Sequence, residues 1–275
     1  MPELPEVENV CISLKKQIPS GLELKQIEFF RMDLRFIIPT KQLLGLINER
    51  LVTIERRGKY IIFIFTRGIM ISHLGMTGHW RVSQTIPKSE KHDHVQLQFR
   101  NSSLYLTYND PRRFGYLDFI NSLDQLKKHK LFIHLGLEPL SEDFTAELLK
   151  KMSQKSERAV KIFLMDQKNI LGIGNIYASE ILFQAKVKPQ KKANQLTLLQ
   201  WQKVVFYSIK ILKHAIQLGG SSIKDYRNTN GQSGKFQNQH QVYGKKGESC
   251  RTCSSIIKSE VLGGRATFWC SHCQK

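Results

Sequence analysis

The stretch CRTCSSIIKSEVLGGRATFWCSHC, residues 250–273, decides how the C-terminal end of this 275-residue chain folds. It contains four of the five cysteines, arranged as two Cys-x2-Cys pairs with 16 residues between them. Two such pairs can wrap four thiolates tetrahedrally around one zinc ion. Disulfides, or His272 in place of one cysteine, are the alternatives, but the reducing cytosol and the paired spacing disfavour them. We therefore predict one structural zinc ion with the ligands Cys250, Cys253, Cys270 and Cys273.

The segment between the two cysteine pairs predicts a β-hairpin that turns at Gly263 and Gly264. Arg265 follows the turn directly, so we expect it at the hairpin tip. A single arginine is usually a solvated surface residue. On a metal-fixed hairpin of a strongly basic chain, it is a better candidate for binding a phosphate.

The net charge of the whole chain also favours a partner that contains phosphate groups. Forty-two Lys and Arg against 23 Asp and Glu give a net charge of +19. Such an excess suits a polyanionic partner, because phosphate neutralisation releases counterions. An anionic membrane is the alternative, but no basic amphipathic anchor, signal peptide or membrane-spanning apolar run stands out. We expect a cytoplasmic protein that binds nucleic acid.

The other end of the chain, MPELPEVENV at residues 1–10, predicts a helix over about residues 5–17. Pro5 and Glu6 suit the first turn of a helix and the positive end of its dipole. Cys11 lies on the apolar face and is expected to be a buried core residue. That face has helical spacing and comprises Leu4, Val7, Cys11, Leu14 and Ile18.

Residues 20–120 have mostly strand-like sequence. The stretches LVTIERRGKYIIFIF and HVQLQF are rich in β-branched and aromatic residues, and the second alternates apolar with polar positions. The turn RNSS followed by LYLTY predicts a hairpin. One helix followed by several strands predicts a β-sandwich domain over residues 1–130.

After about residue 145 the apolar period becomes helical. SERAVKIFLMDQ and IYASEILFQA predict helices, separated by the breaker LGIGN. A longer helix is expected from Thr197, where TLLQ matches a capping box, to Gly219–Gly220. Its predicted apolar face comprises Leu198, Trp201, Val205, Leu212 and Ile216. The fold class is thus α+β, with a helical domain over residues 131–240 and a zinc finger over residues 241–275.

The turn GIGNIY matches a dinucleotide-binding motif only weakly, because it lacks the third glycine and follows a helix. We therefore expect no nucleotide cofactor. A glycine-rich turn before a helix can instead bring backbone N–H groups to a phosphate, and Asn175 can add its amide.

Several motifs, in the same order along the chain, resemble those of formamidopyrimidine-DNA glycosylases. They are PELPEVE, RRGKY, HLGMTG, EKHDHV, NDPRRFG, GIGNIYASE, QVYGKKGE and GGRATFWCSHCQK. Related endonuclease VIII enzymes typically begin PEGPE. Leu4 stands where they have glycine, which favours the branch that acts on oxidised purines. Ile162, where proline is common, and Ser254, where glycine is usual, depart from the family pattern.

The resemblance implies roles for individual residues. Pro2 would be the nucleophile after removal of Met1, and Glu3 the neighbouring acid/base. Lys59 would serve in β-elimination, and Arg265 would hold phosphate and assist δ-elimination. Met76, Arg112 and Phe114 would fill the gap left by an everted base. Further DNA contacts would be His73, His92, Lys155, Lys161, Asn175 and Tyr243.

The resemblance also implies structural parts of the helical domain. GIGNIY would be the turn of a helix-two-turn-helix motif, and residues 222–234 would form a loop that caps the lesion.

The residue types suit this chemistry. A base inside a duplex must be flipped out before its sugar carbon can be attacked. Flexible Met76, stacking Phe114 and hydrogen-bonding Arg112 can fill the gap, although core packing is the alternative for the first two. An N-terminal amine titrates near ~7.7–8.0, so Pro2 is partly neutral and nucleophilic in the cytosol. Because it is a secondary amine, it would form a positively charged iminium.

We therefore predict a bifunctional DNA glycosylase and abasic-site lyase of base excision repair. It would remove oxidised purines from damaged double-stranded DNA through a proline iminium, cleave the strand by β,δ-elimination and act as a monomer. One alternative is a family member that acts on oxidised pyrimidines. Another is a non-catalytic DNA-binding protein that uses only the zinc finger and the helix pair. The set Pro2, Glu3, Lys59 and Arg265 argues against the second.

Overall fold

The structure is a computed structural model that describes residues 1–126, 128–221 and 234–275. It divides into two compact units. Unit 1 comprises Met1–Ile133 and Gly219–Lys235, and unit 2 comprises His134–Leu218 and Phe236–Lys275. Within the described ranges, no helix combines the length and apolar character needed to cross a membrane.

Unit 1 contains two antiparallel four-stranded sheets and a leading helix. The strand orders are β1-β6-β7-β5 and β2-β3-β4-β8. This arrangement confirms the predicted sandwich with its leading helix. The helices are α1 (Leu4–Gln17), α2 (Thr40–Leu44) and α3 (Leu123–Leu126), and the strands are β1 (Leu24–Phe29), β2 (Leu51–Arg57), β3 (Tyr60–Phe65), β4 (Ile69–His73), β5 (His79–Ser83), β6 (Asp93–Phe99), β7 (Tyr105–Asn109) and β8 (Tyr116–Ile120).

One apolar core joins α1 to both sheets of unit 1. The helix begins one residue before the predicted start and ends at the predicted residue. Cys11 is 2% exposed and packs in this core, as its place on the apolar face predicted. Strand β6 buries Val95, Leu97 and Phe99, because alternate side chains of a strand face the same side of a sheet.

Unit 2 consists of four helices, two 3-10 turns and one hairpin among its described residues. Leu262 and Arg265 pair across Gly263–Gly264, both of which have positive φ, as two-residue hairpin turns require. The predicted hairpin is confirmed. The elements are α4 (Ala146–Ser153), α5 (Val160–Met165), α6 (Asn175–Gln184), α7 (Leu198–Gln217), the 3-10 turns Ala193–Gln195 and Phe236–Gln239, and the strands β9 (Ile257–Leu262) and β10 (Arg265–Cys270).

Helix α7 begins at the predicted capping box, but the predicted apolar face is offset. Thr197 and Gln200 each accept the other's backbone N–H, at 3.2 and 3.1 Å. Leu198 is 42% exposed, so its assignment to the buried face was wrong. The buried positions are three or four residues apart, which keeps them on one side of a 3.6-residue helix. They are Trp201, Val204, Ser208, Leu212 and Ala215.

Candidate catalytic site and nucleic-acid interface

The first residues of the chain lead directly into α1, with Glu3 as its N-cap. Pro2 and Glu3 are buried, whereas Met1 is 54% exposed. The backbone N–H of Glu3 donates to Oε2 of Glu6 at 2.8 Å, within a capping box. The helix therefore fixes the residue next to Pro2 and directs its positive dipole end towards the start of the chain.

Glu6 has a second role that the sequence did not reveal. It is 2% exposed, and its Oε1 accepts the backbone N–H of Ser221 at 2.7 Å. A Cβ atom on Gly220, whose φ is +81°, would lie 2.8 Å from the same oxygen. One carboxylate thus holds both the start of α1 and the segment at 220–221. The sequence predicted Glu6 in the first turn of the helix, but no local pattern indicates a partner 215 residues away.

Lys59 and His73 lie close to each other in unit 1. Lys59 is 6% exposed and directly precedes β3. Burial, and then the positive charges of Lys59, Arg35 and the chain's N-terminus, lower the pKa of His73 to about 4. The neutral ring accepts the backbone N–H of Gly75 at Nδ1, at 3.0 Å. Its proton is therefore assigned to Nε2, which can donate to an acceptor such as a phosphate oxygen.

Two loops of unit 1 carry the side chains predicted to fill the gap in the duplex. Met76 is 38% exposed on the β4–β5 loop, and Phe114 is 45% exposed on the β7–β8 loop. This exposure contradicts the alternative of core packing for both. A Cβ atom on Gly75 would lie 2.4 Å from the backbone of Phe114 and of Gly115, so the loops pack backbone to backbone. The guanidinium of Arg112 lies 4.6 Å from the ring centre of Phe114.

The fully buried carboxylate of Asp110 holds the two loops together. Its Oδ1 accepts the hydroxyl of Thr77 at 2.5 Å, and its Oδ2 accepts the backbone N–H of Gly115 at 2.8 Å. The Asp110 backbone N–H donates to the carbonyl of His92 at 3.1 Å. His92 has a φ of +76°, which only a minority of non-glycine residues adopt. The structure thus gathers Met76, His92, Arg112 and Phe114 around one buried acid.

The four cysteines of unit 2 form a structural zinc site. Their Sγ atoms all lie within 4.8 Å of one another. The Cys253–Cys270 and Cys250–Cys273 sulfur pairs are 3.4 and 4.0 Å apart. Zn–S bonds of about 2.3 Å in a tetrahedron place sulfurs about 3.8 Å apart, so the set fits the ion. Ser254, which departs from the family's usual glycine, has a φ of +60°.

The zinc-site hairpin presents Arg265 at its tip. Arg265 is exposed and is the first residue of β10. Behind it, a Cβ atom on Gly263 would lie 2.3 Å from Cδ1 of Ile162, so a larger residue there would require the Ile162 side chain to move. Ile162, where the family commonly has proline, therefore packs directly against the turn that precedes Arg265.

Lys161, which the resemblance placed among the DNA contacts, is fully buried. Its Nζ donates to Oδ1 of Asn175 at 2.6 Å, to Oγ1 of Thr267 at 2.7 Å and to the carbonyl of Ala266 at 3.1 Å. Asn175 in turn donates to the Ala266 carbonyl at 3.0 Å. Lys161 therefore ties the N-terminus of α6 to the hairpin and acts through these partners.

Asn175 and Tyr243 are both partly exposed and occupy positions fixed by buried groups. Asn175 begins α6 next to the glycine-rich turn. Glu180 of α6 is 2% exposed and accepts the backbone N–H groups of residues 241, 242 and 243. Burial raises the pKa of Glu180, while those three bonds oppose the rise. Sequence reasoning missed Glu180, although it ends the GIGNIYASE motif.

Two other sequence predictions lie apart from these groups. Lys155 is exposed between α4 and α5 and forms none of the contacts described above. Of the predicted lesion-capping loop 222–234, residues 222–233 lie outside the described residues.

The fold and these sites define a zinc-finger DNA glycosylase, and comparison with known proteins agrees. Three family models match: the formamidopyrimidine-DNA glycosylase N-terminal domain at residues 1–117, its H2TH domain at 135–227 and the zinc finger found in FPG and IleRS at 247–275. The formamidopyrimidine-DNA glycosylases of Bdellovibrio bacteriovorus and Zymomonas mobilis are 48% and 42% identical to this chain. In each case the match covers 100% of this chain and 100% of the relative.

Solved structures give the same result. A Lactococcus lactis Fpg mutant in complex with Fapy-dG-containing DNA matches with a TM-score of 0.90 and 39% identity over 100% of both chains. The Lactococcus lactis Fpg bound to abasic-site DNA matches with a TM-score of 0.90 and 38% identity over 99% of both chains. This chain belongs to the formamidopyrimidine-DNA glycosylase family. It is an enzyme, a DNA glycosylase and abasic-site lyase of base excision repair.

Proposed function

We propose that the chain removes oxidised purines, such as 8-oxoguanine and formamidopyrimidines, from duplex DNA with Pro2 as the nucleophile. The observation that carries this proposal is the place of Pro2 directly before the N-cap of α1. The positive end of a helix disfavours the protonated form of an adjacent amine. Once Met1 is removed, a larger fraction of the Pro2 nitrogen is therefore neutral and nucleophilic.

In the proposed reaction, the Pro2 nitrogen attacks C1′ of the damaged nucleotide. The N-glycosidic bond breaks, and its electron pair leaves with the base, which takes up a proton. The attacking nitrogen loses its proton and Glu3 delivers one to the ring oxygen, so that the C1′–O4′ bond breaks and a C1′=N⁺ iminium forms. The iminium acidifies the C2′ proton. Loss of the C2′ proton expels the 3′ phosphate in the first elimination, and a second elimination then expels the 5′ phosphate.

The remaining polar residues are proposed to bind the DNA backbone. Lys59 would assist β-elimination and contact phosphate, while Arg265 would hold phosphate during δ-elimination. The Nε2–H of His73 would donate to a phosphate oxygen. His92, Asn175, Tyr243 and Lys155 would make further backbone contacts, and Lys161 would position Asn175 and the hairpin.

Met76, Arg112 and Phe114 are proposed to occupy the duplex after base eversion. Their exposure on loops held by Asp110 supports this role, because a wedge must keep its shape while it unstacks bases. Arg112 would hydrogen-bond the orphaned base, and Phe114 would stack beside it.

We also propose that the chain acts as a monomer in the cytoplasm, on nucleoid DNA. Its domains would be a catalytic sandwich at 1–130, a helix-two-turn-helix domain at 131–240 and a zinc finger at 241–275. A second candidate activity is removal of oxidised pyrimidines, because the Lactococcus lactis protein was solved with DNA that contains an oxidised pyrimidine. A cleavage assay on a panel of both lesion classes separates the two.

Borohydride trapping tests the nucleophile. The reagent should reduce the iminium and leave a covalent protein–DNA adduct on an 8-oxoguanine duplex. Retention of Met1 should abolish the adduct, because the Pro2 nitrogen is then an amide whose lone pair is delocalised. Duplex binding should persist.

Two variants sharpen the test. Pro2→Gly keeps an N-terminal amine and should give partial trapping, whereas Glu3→Gln should slow base removal more than abasic-site cleavage. Full trapping by a protein that retains Met1 would overturn the assignment and direct attention to Lys59. Absence of any cleavage on all lesions would favour a non-catalytic DNA-binding protein.

A further inference from the structure

Helix α7 carries an exposed stripe of apolar and basic side chains that the proposed chemistry does not use. Leu199 is 61% exposed and Phe206 is 58% exposed. They are seven residues apart, which corresponds to about 10 Å along one side of a helix. Lys203 and Lys210, also exposed, lie one turn before and one turn after Phe206.

The stripe borders an open hollow of about 340 Å³. This volume is near the lower end of the roughly 300–1,000 Å³ typical of ligand sites and suits one or two side chains. The rings of Phe206 and Tyr207 form one part of its wall, with centroids 5.1 Å apart. The lining residues are Gln184, Lys186, Gln202, Lys203, Phe206 and Tyr207.

The charged side chains of α7 and of the lining of the hollow are all basic. The 20 residues of α7 contain no Asp or Glu, and neither does the lining. The ammonium of Lys186 lies 4.7 Å from the ring centre of Phe183, and that of Lys210 lies 5.8 Å from the ring centre of Phe206. Among the described residues, neither Lys186 nor Lys203 forms an ion pair. The hollow therefore combines aromatic walls with cations that lack a counter-charge.

We propose that this surface binds an acidic peptide segment of a partner protein. The surface consists of the side chains of Leu199, Phe206, Lys186, Lys203 and Lys210. An aromatic side chain of the segment would enter the hollow, and its carboxylates would face the three lysines. A phosphate backbone needs the cations but not the exposed Leu and Phe. The 10 Å stripe matches about three residues of extended peptide, at roughly 3.3–3.6 Å per residue.

The position of the surface allows peptide and DNA to bind together. Gln184, in the hollow, ends α6, whereas Asn175, which is proposed to contact DNA, begins it. Gln184 lies nine positions after Asn175, or about 14 Å along the helix. A peptide in the hollow therefore need not displace DNA from the Asn175 end of the same helix.

Fluorescence anisotropy with a labelled hexapeptide, Asp-Glu-Asp-Glu-Gly-Phe, tests the proposal on the full chain. We expect saturable binding, at least about tenfold weaker when the peptide's Phe is replaced by Ala. Phe206→Ala should cause a similar loss, and Lys203→Glu should weaken binding and flatten its salt dependence. Lys41→Glu, an exposed charge change on α2, is the matched control and should leave peptide affinity unchanged.

Excision activity on a damaged duplex should be unchanged in Phe206→Ala, which shows that the variant is folded. Equal affinity for the Phe and Ala peptides, or no effect of Phe206→Ala, would overturn the proposal. So would competition by single-stranded DNA that depends on Lys203 and not on Phe206, because the surface would then be a nucleic-acid contact. No binding at millimolar peptide would also overturn it.

Discussion

Asp110 in unit 1 and Lys161 in unit 2 perform the same task with opposite charges. Each is fully buried, and each holds exposed side chains in place through hydrogen bonds. Asp110 accepts bonds from Thr77 and Gly115 and so fixes the loops of Met76 and Phe114. Lys161 donates to Asn175 and to the hairpin that carries Arg265.

Asp110 and Lys161 differ in what holds their hydrogen-bond partners in place. The loops that Asp110 joins are anchored at both ends by strands of one sandwich. Lys161 instead reaches Thr267, 106 residues further along the chain, on a hairpin whose ends are the zinc ligands. A two-stranded hairpin has little stability of its own. Presentation of Arg265 therefore depends on the metal, whereas presentation of Met76 and Phe114 does not.

Removal of zinc should have the largest effect, and it should affect the zinc-site hairpin of unit 2 but not unit 1. Chelation or Cys253→Ser should abolish duplex binding, because structural zinc in finger peptides contributes about 10–16 kcal/mol to folding. Unit 1 should stay folded, as reported by hydrogen exchange of the backbone amides in its two sheets. Cys11→Ser, at the cysteine outside the zinc site, is the control and should retain zinc and affinity. Unchanged affinity of the metal-free protein would contradict the dependence.

Asp110→Ala should have the next largest effect. It leaves the Thr77 hydroxyl and the Gly115 N–H without their acceptor, at a cost of about 2–4 kcal/mol in the free energy of unfolding. Excision of an intact damaged base should fall more than cleavage of an abasic site, because the abasic site needs less unstacking. Urea unfolding and the two assays measure this. Asp110→Asn keeps one acceptor oxygen and should lose less; equal losses would refute the role of the bonds.

Lys161→Met should lower stability by about 1–3 kcal/mol, because it removes the hydrogen bonds of a buried ammonium but keeps much of the volume. Affinity for the duplex should weaken about tenfold as Asn175 and the hairpin lose their shared anchor. Lys155→Met is the contrast. This exposed lysine should leave stability unchanged and reduce the salt dependence of binding by roughly one phosphate contact. Identical behaviour of the two variants would contradict a buried positioning role for Lys161.

Acidification should give the smallest effect. Burial lowers the pKa of His73 in unit 1 and of His240 in unit 2 to about 4, so both stay neutral in the folded chain. The unfolded chain, with histidine near 6.5, takes up protons first as the pH falls. Stability is therefore complete above about pH 6.5 and is lost towards pH 4, on the order of 1–2 kcal/mol for each histidine at pH 5.

Urea unfolding at pH 7 and pH 5 measures this loss. His73→Gln and His240→Gln should each reduce the difference in the free energy of unfolding between the two pH values. An unchanged difference in both variants would contradict the assignment.

The elements that the sequence predicted correctly are those with local signals. The spacing of Leu4, Val7 and Leu14 places α1, and the two cysteine pairs with Gly263–Gly264 between them place the zinc site and its hairpin. Exposure of Met76 and Phe114 could not be derived from residue type, since both are normally core residues. The partners of Glu6 and Lys161 are 215 and 106 residues away, so only the folded chain reveals them. The resemblance placed Lys161 among the DNA contacts, but it could not give these hydrogen-bond partners.

The shared carboxylate of Glu6 has a thermodynamic consequence. Its two oxygens receive the N–H of Glu3, beside the proposed nucleophile, and the N–H of Ser221. One side chain therefore orders both backbone positions, and the free energies of ordering at residues 3 and 221 are coupled. Linkage makes such a coupling reciprocal. An interaction that orders residues 220–221 therefore stabilises the start of α1, and the coupling free energy is the same in both directions. A ligand bound at Pro2 would in turn stabilise residues 220–221.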